Sequence, residues 1–494
     1  MNSIRVPLLV ILVLGALLRV LYLGKESFWL DEFVTWQCTQ DFQKVLTAEP
    51  TNPPLYYLLL YPWVSLFGRS EEAFRSFSIL PGLAGILLTY LLAGKLFNRR
   101  IALIAAAYHA FSSFHVFYSQ EARTHAWLVF FLLLSTLTLL KALEQEKKTL
   151  LLLVYGVLIT LSLYMHYMAT FFIAAQGIYV LCRWRVDSRQ TSFKTVMGYS
   201  AVVGGSLLAF GPWLLQMLQA ASGGGQVRRF LFLKPPQAYF SFLFGDTLIP
   251  LDEAAVRNVA GTLRENALVL ALVLGACITL LPFVWKALRR WWPQALLALV
   301  MSTVPLLLCF LVSFKVMVFD ERYMQTASLF LYMWVAAAAV EVFEARGGMR
   351  LAGMASLVLF VLLGAWSLSN YYFHERYGKE QWREAVPFIE QQSDTRTDLI
   401  LYDPEYLIAC YNYYQKQNLT GWRVFDRVAE DLVAAKPDLV GQLNQKRKIW
   451  LIRSHHRGDR VLNALRALFD EKQKKVFPKG KGIEVYEFSP RLKP

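Results

Sequence analysis

The sequence predicts a polytopic α-helical membrane protein with a small soluble α/β domain at its C-terminus. Of the 494 residues, 56% are hydrophobic and only 18% are charged, and the mean hydropathy is +0.37. A soluble chain of this length needs more charged surface than that. About eleven apolar runs, each close to the 20 residues that cross a bilayer, account for the composition.

The membrane spans can be placed from these apolar runs. We predict them at 6–23, 73–96, 101–118, 124–142, 149–167, 168–184, 195–219, 264–284, 293–314, 323–342 and 351–370. The first run follows Arg5 and resembles a signal sequence, but no small-residue cleavage site comes after it, so it is interpreted as a retained span.

The short loops between spans predict the orientation of the chain. The turns "KLFNRR" (95–100) and "WKALRR" (285–290) are basic, as are the other loops that alternation of the spans puts on the same side. These loops are therefore predicted to be cytoplasmic. The opposite side then receives loop 24–72, the turns near residues 119–123, 166 and 319–323, and the tail. Most of the unusual polar residues thus fall on one side of the membrane.

The tail differs in composition from the rest of the chain. The runs "TDLILYD" (397–403), "KIWLIRS" (448–454) and "GIEVYEF" (482–488) are typical of short β-strands. Helical patterns follow the first two, at 404–416 and 459–470, and "KEQWREAVPFIEQQ" (379–392) is typical of an amphipathic helix. We therefore predict a membrane module over 1–370, with first loop 24–72, and a separate α/β domain over 371–494.

Charge and cysteine content exclude some partners. The net charge of +15 is the ordinary consequence of cytoplasmic Lys and Arg and of contact with membrane lipids. Nucleic acid is not an expected partner, because the basic cluster 472–481 is short and isolated and no zinc-finger spacing occurs. The five cysteines are scattered and form neither a disulfide framework nor a metal motif.

Two adjacent carboxylates follow the first span in "SFWLDEFVTWQ" (27–37). In one interpretation Asp31 and Glu32 cap a helix within an interfacial aromatic belt. In the other, Asp31 is a partly desolvated base that accepts a proton from an attacking hydroxyl, and Glu32 orients the site. The residues alone leave both interpretations open.

Further polar groups lie on the same predicted side. An anionic ligand explains the cations there better than topology does, although snorkelling into headgroups and helix-to-helix bonding remain alternatives. His166 is the only side chain between Leu150 and Leu181 that can carry charge near neutral pH, and such a residue within a bilayer is costly and often functional; the alternative is a neutral ring bonded to a neighbouring helix. The candidates for a phosphorylated lipid site are Arg123, His166, Arg322 and Tyr323, with Asn52, Tyr56, Tyr57 and Glu121 lining a groove for donor or acceptor.

Several motifs, taken in their order along the chain, resemble the bacterial family 39 glycosyltransferases. They are "FWLDE", "NPPLYYLLL", "SQEARTHAW", "LYMHYMATFF", "ERYM" and "KEQWREAVPFI", which together span nearly the whole chain. These enzymes have the GT-C fold and are related to protein O-mannosyltransferases (PMT) and to aminoarabinose transferases of lipid A.

The resemblance implies a membrane glycosyltransferase of the bacterial inner membrane with an extracytoplasmic active site and tail domain. It would move a sugar, with inversion, from a polyprenyl-phosphate carrier to a hydroxyl of a glycan, lipid or protein. Asp31 would be the catalytic base and Glu32 its partner, while Arg123, His166 and Arg322 would surround the donor phosphate. No metal or other cofactor is then required.

This chain departs from the family pattern at two places. Asn52 stands before the Pro-Pro pair where relatives often carry His or Lys, and Thr124 and His125 replace a common Pro-Tyr. No acidic residue immediately precedes Asn52, so a divalent cation site is not supported. The alternative functions are a transporter or flippase of lipid-linked sugars and a non-catalytic envelope assembly protein, but the spans lack the buried charge pairs and inverted repeats of transporters.

Overall fold

The structure is a computed structural model that describes residues 2–47, 49, 52–145, 149–186, 192–220, 228–250, 258–424, 426–455 and 458–491. The chain forms two compact units. The membrane unit comprises Met1–Leu23 and Asp41–Tyr371, and the tail unit comprises Gly24–Gln40 and Tyr372–Pro494.

Over its described residues, the membrane unit contains helices joined by turns and loops, and no strand. Its helices are α1 (Asn2–Val20), α3 (Phe42–Thr47), α4 (Leu55–Phe67), α5 (Glu71–Leu96), α6 (Arg99–Phe111), α7 (Ser113–Ser119), α8 (His125–Glu144), α9 (Thr149–Met165), α10 (Ala169–Val186), α11 (Phe193–Ala220), α12 (Lys234–Phe244), α13 (Val259–Glu265), α14 (Ala267–Arg290), α15 (Leu296–Ser313), α16 (Gln325–Glu344) and α17 (Gly347–Phe373, which ends in the tail unit). The helix α2 (Leu30–Cys38) belongs to the tail unit.

Each apolar run predicted from the sequence forms a helix, which confirms the fold class. Among the described residues, seven helices are long and apolar enough to cross a membrane, and the pair α6–α7, bent by 58°, makes an eighth. The helices α1, α4 and α9 are apolar but shorter. The exact number of spans therefore stays a prediction.

A buried arginine holds the bend between α6 and α7. Arg19 of α1 is fully buried, and its guanidinium donates to the carbonyl oxygens of His109 (3.3 Å) and Ala110 (3.0 Å) at the end of α6. It also donates to Ser119 Oγ (3.1 Å) at the end of α7. These carbonyls have no partner within a helix that stops there, so the guanidinium satisfies them in place of water. The bend directs the chain into the turn that carries Glu121 and Arg123.

The tail unit is a five-stranded sheet with helices, as the sequence predicted in outline. Its elements are α18 (Trp382–Glu390), β1 (Leu399–Asp403), α19 (Leu407–Tyr414), β2 (Gly421–Arg423), α20 (Asp426–Val433), α21 (Pro437–Asn444), β3 (Ile449–Arg453), α22 (Arg460–Leu468), β4 (Phe469–Phe477) and β5 (Ile483–Pro490). The strand order is β2-β1-β3-β5-β4, with β1 parallel to β2 and β3 and with β5 antiparallel to its neighbours. The strand β4 includes part of the basic cluster that we interpreted as an isolated segment.

The segment Gly24–Gln40 packs within the tail unit, although the sequence assigned it to the first loop of the membrane module. Phe33 of α2 meets the rings of Trp382, Tyr413 and Tyr414 edge-on at centroid distances of 6.3, 5.9 and 6.0 Å. Ser27 Oγ accepts a hydrogen bond from the backbone N–H of Arg383 (3.1 Å). The apolar face of α2 is thus buried by aromatic residues of the tail, and a single domain cut at residue 370 does not describe the chain.

Candidate active site

Arg123 and Tyr57 belong to a polar cluster at the start of α4. Arg123 Nη1 donates to Tyr57 Oη (3.2 Å) and lies 3.7 Å from Glu49 Oε2. Glu49 also accepts from the Tyr57 hydroxyl and from Asn52 Nδ2, the latter at 2.5 Å. The structure therefore brings together three predicted residues, and it adds Glu49, which the sequence analysis missed.

The remaining groove candidates lie beside this cluster. Tyr56 is buried with its ring edge-on to that of Tyr57 at 5.6 Å, and it packs on Phe77 at 5.8 Å. Glu121 is fully buried, with Oε2 3.8 Å from His125 Nε2. His125 is a second residue that the sequence analysis did not select, although its position four residues after Glu121, where α8 begins, is the spacing at which side chains meet.

The turn that carries Glu121 and Arg123 is anchored to the end of α1. Gln120 Nε2 donates to the carbonyls of Leu18 (3.3 Å), Arg19 (3.0 Å) and Leu21 (2.8 Å). Leu18 and Arg19 lie in the last turn of α1 and Leu21 follows its end, where intrahelical donors run out. The anchoring holds the Arg123 backbone in one place relative to α1.

His166 lies in a stack of aromatic rings in the turn between α9 and α10. Its imidazole is parallel to the rings of Tyr323 (centroids 4.1 Å apart) and Tyr167 (4.6 Å). Burial and the nearby guanidiniums of Arg123 and Arg322 lower the pKa of His166 to about 3. Desolvation and two positive neighbours therefore favour the neutral form of the ring, which is one of the two alternatives that the sequence left open.

The neutral ring of His166 presents a defined hydrogen-bond donor. Its Nδ1 accepts from the backbone N–H of Met168 (3.2 Å), so the ring proton lies on Nε2. The position that the sequence analysis proposed for phosphate contact is thus a neutral N–H donor held between two tyrosines.

Arg322 sits in a short 3-10 turn before α16. Asp320 caps the turn, with Oδ1 accepting from the Arg322 N–H (3.1 Å) and Oδ2 accepting from Arg322 Nε (2.9 Å). The guanidinium lies 5.6 Å from the centroid of the Tyr323 ring. The capping bonds fix the base of the Arg322 side chain next to the His166 stack.

Two carboxyl groups near Arg322 have raised pKa values. Burial and the charge of Asp320 raise the pKa of Glu321 to about 7, and burial raises the pKa of Asp246 to about 6. Glu321 accepts from Gln237 Nε2 (3.2 Å) and lies 3.8 Å from Lys234 Nζ. Neither carboxyl was predicted as part of the site, because nothing in the local sequence shows that residues 234–246 meet residues 320–322.

Asp31 and Glu32 lie in the tail unit, in the first turn of α2. Glu32 is fully buried; its Oε2 accepts from the backbone N–H of Trp29 (3.3 Å) and from Lys379 Nζ (2.9 Å). Asp31 is half-buried. Helix capping, the first of the two interpretations, describes the bond of Glu32 to the Trp29 backbone. The role of Asp31 as the base stays a prediction.

The residues do not suggest a metal centre. Within the described ranges, no three His, Cys, Asp or Glu side chains are grouped as ligands of a metal ion. That the reaction needs no cofactor stays a prediction.

Comparison with a family model supports the resemblance found in the sequence. Residues 51–215, about a third of the chain, match the family described as dolichyl-phosphate-mannose-protein mannosyltransferase. The matched region includes Asn52, Tyr57, Arg123 and His166. No curated protein matches the sequence.

Solved structures share the fold along nearly the whole chain. ArnT from Cupriavidus metallidurans in the apo state superposes with a TM-score of 0.58 at 11% identity, over 97% of both chains. The same protein bound to undecaprenyl phosphate gives 0.53 at 12% identity, over 97% of both chains. The archaeal oligosaccharyltransferase AglB from Archaeoglobus fulgidus, in complex with an inhibitory peptide and a dolichol-phosphate, gives 0.54 at 12%, over 91% of this chain and 69% of AglB.

The family model and the structures support the same assignment from independent grounds, one from sequence and one from fold. The chain is a multi-pass membrane protein with the GT-C fold of ArnT and AglB, and a third of its sequence is similar to the protein mannosyltransferase family.

Proposed function

We propose that the chain transfers a sugar from a polyprenyl-phosphate carrier to an acceptor hydroxyl on the extracytoplasmic side of the bacterial inner membrane. The observation that carries the proposal is the stack of the buried His166 ring on Tyr323 (centroids 4.1 Å apart), with the Arg322 guanidinium 5.6 Å from the Tyr323 ring and with Arg123 near enough to lower the pKa of His166. Two cations and a neutral N–H donor near one buried ring are suited to an anionic phosphate. The undecaprenyl phosphate and dolichol-phosphate bound by the structural relatives have this chemistry.

In the proposed reaction the acceptor oxygen attacks the anomeric carbon of the donor sugar. Asp31 accepts the proton of the acceptor hydroxyl as the new C–O bond forms. The bond from the anomeric carbon to the phosphate oxygen breaks on the opposite face, which inverts the configuration. The lipid phosphate leaves with the electron pair of that bond.

Each group contributes a separate part of the rate. A positioned general base accounts for roughly 10²–10⁴-fold. Arg123, Arg322 and the His166 N–H stabilise the negative charge that grows on the departing phosphate, and such preorganised donors act strongly where water is excluded. Glu32 is a positioning residue in this scheme, because its bonds to Trp29 and Lys379 fix the first turn of α2, on which Asp31 lies.

The variant Asp31→Asn tests the assignment of the base. We expect cells that carry it to lose the product glycan or glycolipid, as measured by mass analysis of the cell envelope against cells with the unaltered chain. Asp41→Asn is the matched control and should leave the product unchanged. Asp41 is exposed, and its Oδ1 accepts from the backbone N–H of Lys44 (2.8 Å) at the start of α3. Normal product from Asp31→Asn would exclude Asp31 as the base.

A reconstituted assay separates transfer from transport. Purified protein in detergent has no membrane across which to move a lipid, so product formation there requires catalysis. We expect product in detergent and also in the presence of EDTA. Product that appears only in sealed vesicles would favour a flippase, and loss of activity with EDTA would show that a metal takes part.

A further inference from the structure

The segment between α17 and α18 (residues 374–381) joins α2 to the sheet of the tail unit. On the side of α2, Lys379 Nζ donates to Glu32 Oε2 (2.9 Å), and the backbone N–H of Lys379 donates to Glu26 Oε2 (2.9 Å). These two acceptors lie on either side of the residue at which α2 begins. Lys379 therefore fixes the first turn of α2, which carries Asp31.

The same segment is bonded to the sheet through the next residue. Glu380 is buried, and its Oε1 lies 2.8 Å from His455 Nε2, a distance at which the ring nitrogen donates to the carboxylate. His455 is the second residue after β3, and only 11% of its side chain is exposed. Because Lys379 and Glu380 are adjacent, one side chain holds α2 and the other holds the end of β3.

The turn between β4 and β5 is a second contact of the sheet with this segment. The backbone N–H of Lys479 donates to Gln381 Oε1 (3.3 Å), and Lys479 Nζ lies 3.7 Å from Glu26 Oε1. Gly480 has a φ of +62°, and a Cβ there would lie 2.6 Å from the carbonyl oxygen of Gly378. The close approach of the turn therefore requires a residue without a side chain.

The sheet is a suitable support for a functional residue at this place. The strands β1 and β3 are adjacent and parallel, and β2 and β3 lie on opposite sides of β1. His455 thus follows β3 at the carboxyl edge where the strand order reverses, which is where open α/β sheets place the residues of their sites. All five residues of β3 are buried, so the edge belongs to a packed core.

We propose that His455 and Glu380 are positioning residues for sugar transfer, which hold the first turn of α2 in place through the segment 374–381. The proposal rests on the proposed function, in which Asp31 on that turn is the base. It gives the tail unit a role in catalysis, the support of the base. A merely structural ion pair would instead stabilise the sheet without affecting α2.

Hydrogen–deuterium exchange of the purified full-length chain tests the positioning, and steady-state kinetics tests its consequence. In His455→Ala the amides of residues 27–38 should exchange about tenfold faster, while β1 and β3 stay protected. The kcat should fall about 10- to 100-fold, since misplacing a catalytic group by about 1 Å has an effect of that size. The donor KM should stay unchanged, because the proposed phosphate contacts belong to the membrane unit (Arg123, His166 and Arg322).

Two further variants separate the hydrogen bond from general effects on the tail unit. His455→Gln keeps a side-chain N–H donor and should recover most of the slow exchange and of kcat. Arg466→Gln is the matched control, because it breaks another close ion pair of the tail unit, from Arg466 Nε to Glu471 Oε2 (2.6 Å), where α22 meets β4. It should change neither the exchange of residues 27–38 nor kcat.

Unchanged exchange of residues 27–38 in His455→Ala would overturn the proposal, whether or not the chain transfers sugar. Faster exchange with a normal kcat would overturn the link to catalysis. Equal losses in His455→Gln and His455→Ala, or exchange that also rises in β1 and β3, would mean that the domain as a whole is destabilised. Failure of the proposed function is recognised separately, by normal product from Asp31→Asn.

Discussion

The imidazole of His166 stacks on the phenol ring of Tyr323, with centroids 4.1 Å apart and ring planes 24° from parallel. The two residues come from turns more than 150 residues apart, one after α9 and one before α16. Each turn brings one further group to the stack, Tyr167 from the first and Arg322 from the second. The stack therefore links two distant parts of the membrane unit at the proposed phosphate position.

His166→Phe should weaken donor binding while preserving the fold. Phenylalanine keeps a flat ring between the tyrosines but removes the Nε2–H, so one hydrogen bond to phosphate is lost. It also removes the Nδ1 that accepts from the Met168 backbone N–H, a bond within the chain whose loss the unfolding measurement reports. A bond to a charged group contributes about 1.5–3 kcal/mol, which corresponds to a rise in donor KM of roughly tenfold or more. Steady-state kinetics with varied donor, and thermal unfolding to check the fold, measure both effects.

The pH profile provides a separate check on His166. Because the pKa of its ring is lowered to about 3, the ring is neutral across pH 5–8 and contributes no inflection to the rate there. His166→Phe should therefore lower the rate without changing the shape of the profile. An inflection near pH 6.5 that disappears in the variant would contradict the neutral ring.

Arg322→Gln and Arg123→Gln should each reduce kcat/KM by about two orders of magnitude, the cost of losing one preorganised donor to the developing charge. Arg322→Lys should recover only part of the loss, since an ammonium lacks the planar fork of a guanidinium. Arg264→Gln, an exposed position of α13, is the control and should be near normal. Equal activity of the Lys and Gln variants at position 322 would contradict a specific phosphate contact.

Much of the fold can be predicted from the sequence, because each span is a long apolar run that is recognised without knowledge of its distant contacts. The apolar runs predict every long helix of the membrane unit, and short β-type runs predict β1, β3 and β5 of the tail. The strand β4 was missed because its lysines give an edge strand a polar, irregular pattern. The place of α2 in the tail unit was missed because aromatic residues suit a membrane interface and a protein core equally well.

The site was predicted less completely, for a related reason. Arg123, His166, Arg322 and Tyr323 stand out because charged and polar groups are rare next to apolar runs. Glu49, Asp246 and Glu321 do not stand out, since an acidic residue in a loop is ordinary. Their importance depends on contacts with residues far away in sequence, which no local pattern shows.

Arg19→Leu should strongly destabilise the membrane unit. The change removes donors to the carbonyls of His109 and Ala110 and leaves them buried, at a cost of about 1–3 kcal/mol for each unsatisfied group. Ser119→Ala removes one partner of the same guanidinium and should cost about 1 kcal/mol. Thermal unfolding in a fixed detergent should rank the melting temperatures as unaltered chain, Ser119→Ala, then Arg19→Leu. A normal melting temperature for Arg19→Leu would show that the bend is held by other contacts.

Glu321→Gln should stabilise the chain at high pH and not at low pH. The pKa of Glu321 is raised to about 7 in the folded chain, against 4.5 for an ordinary glutamate. The folded state therefore binds the proton more tightly, and this group's contribution to stability is full below about pH 4.5 and is lost as the pH rises through 7. Glutamine cannot ionise, so its advantage in melting temperature should appear near pH 8 and vanish near pH 4.5. The same advantage at both values would mean that shape, and not charge, is responsible.

Removing only one charge of the ion pair between Glu32 and Lys379 should destabilise the chain more than removing both charges. Glu32 is fully buried, and Lys379 is nearly so, with only 10% of its side chain exposed. Lys379→Met leaves the carboxylate buried without its cation, which typically costs about 3–5 kcal/mol, whereas removing both charges is often close to neutral. We therefore expect Lys379→Met to lower the melting temperature, and Glu32→Gln with Lys379→Met to recover most of the loss.

The same two variants also test the role of Glu32 in catalysis. If Glu32 only positions α2, the double variant should regain transfer activity along with stability, whereas recovery of stability without activity would require Glu32 to act directly in the reaction.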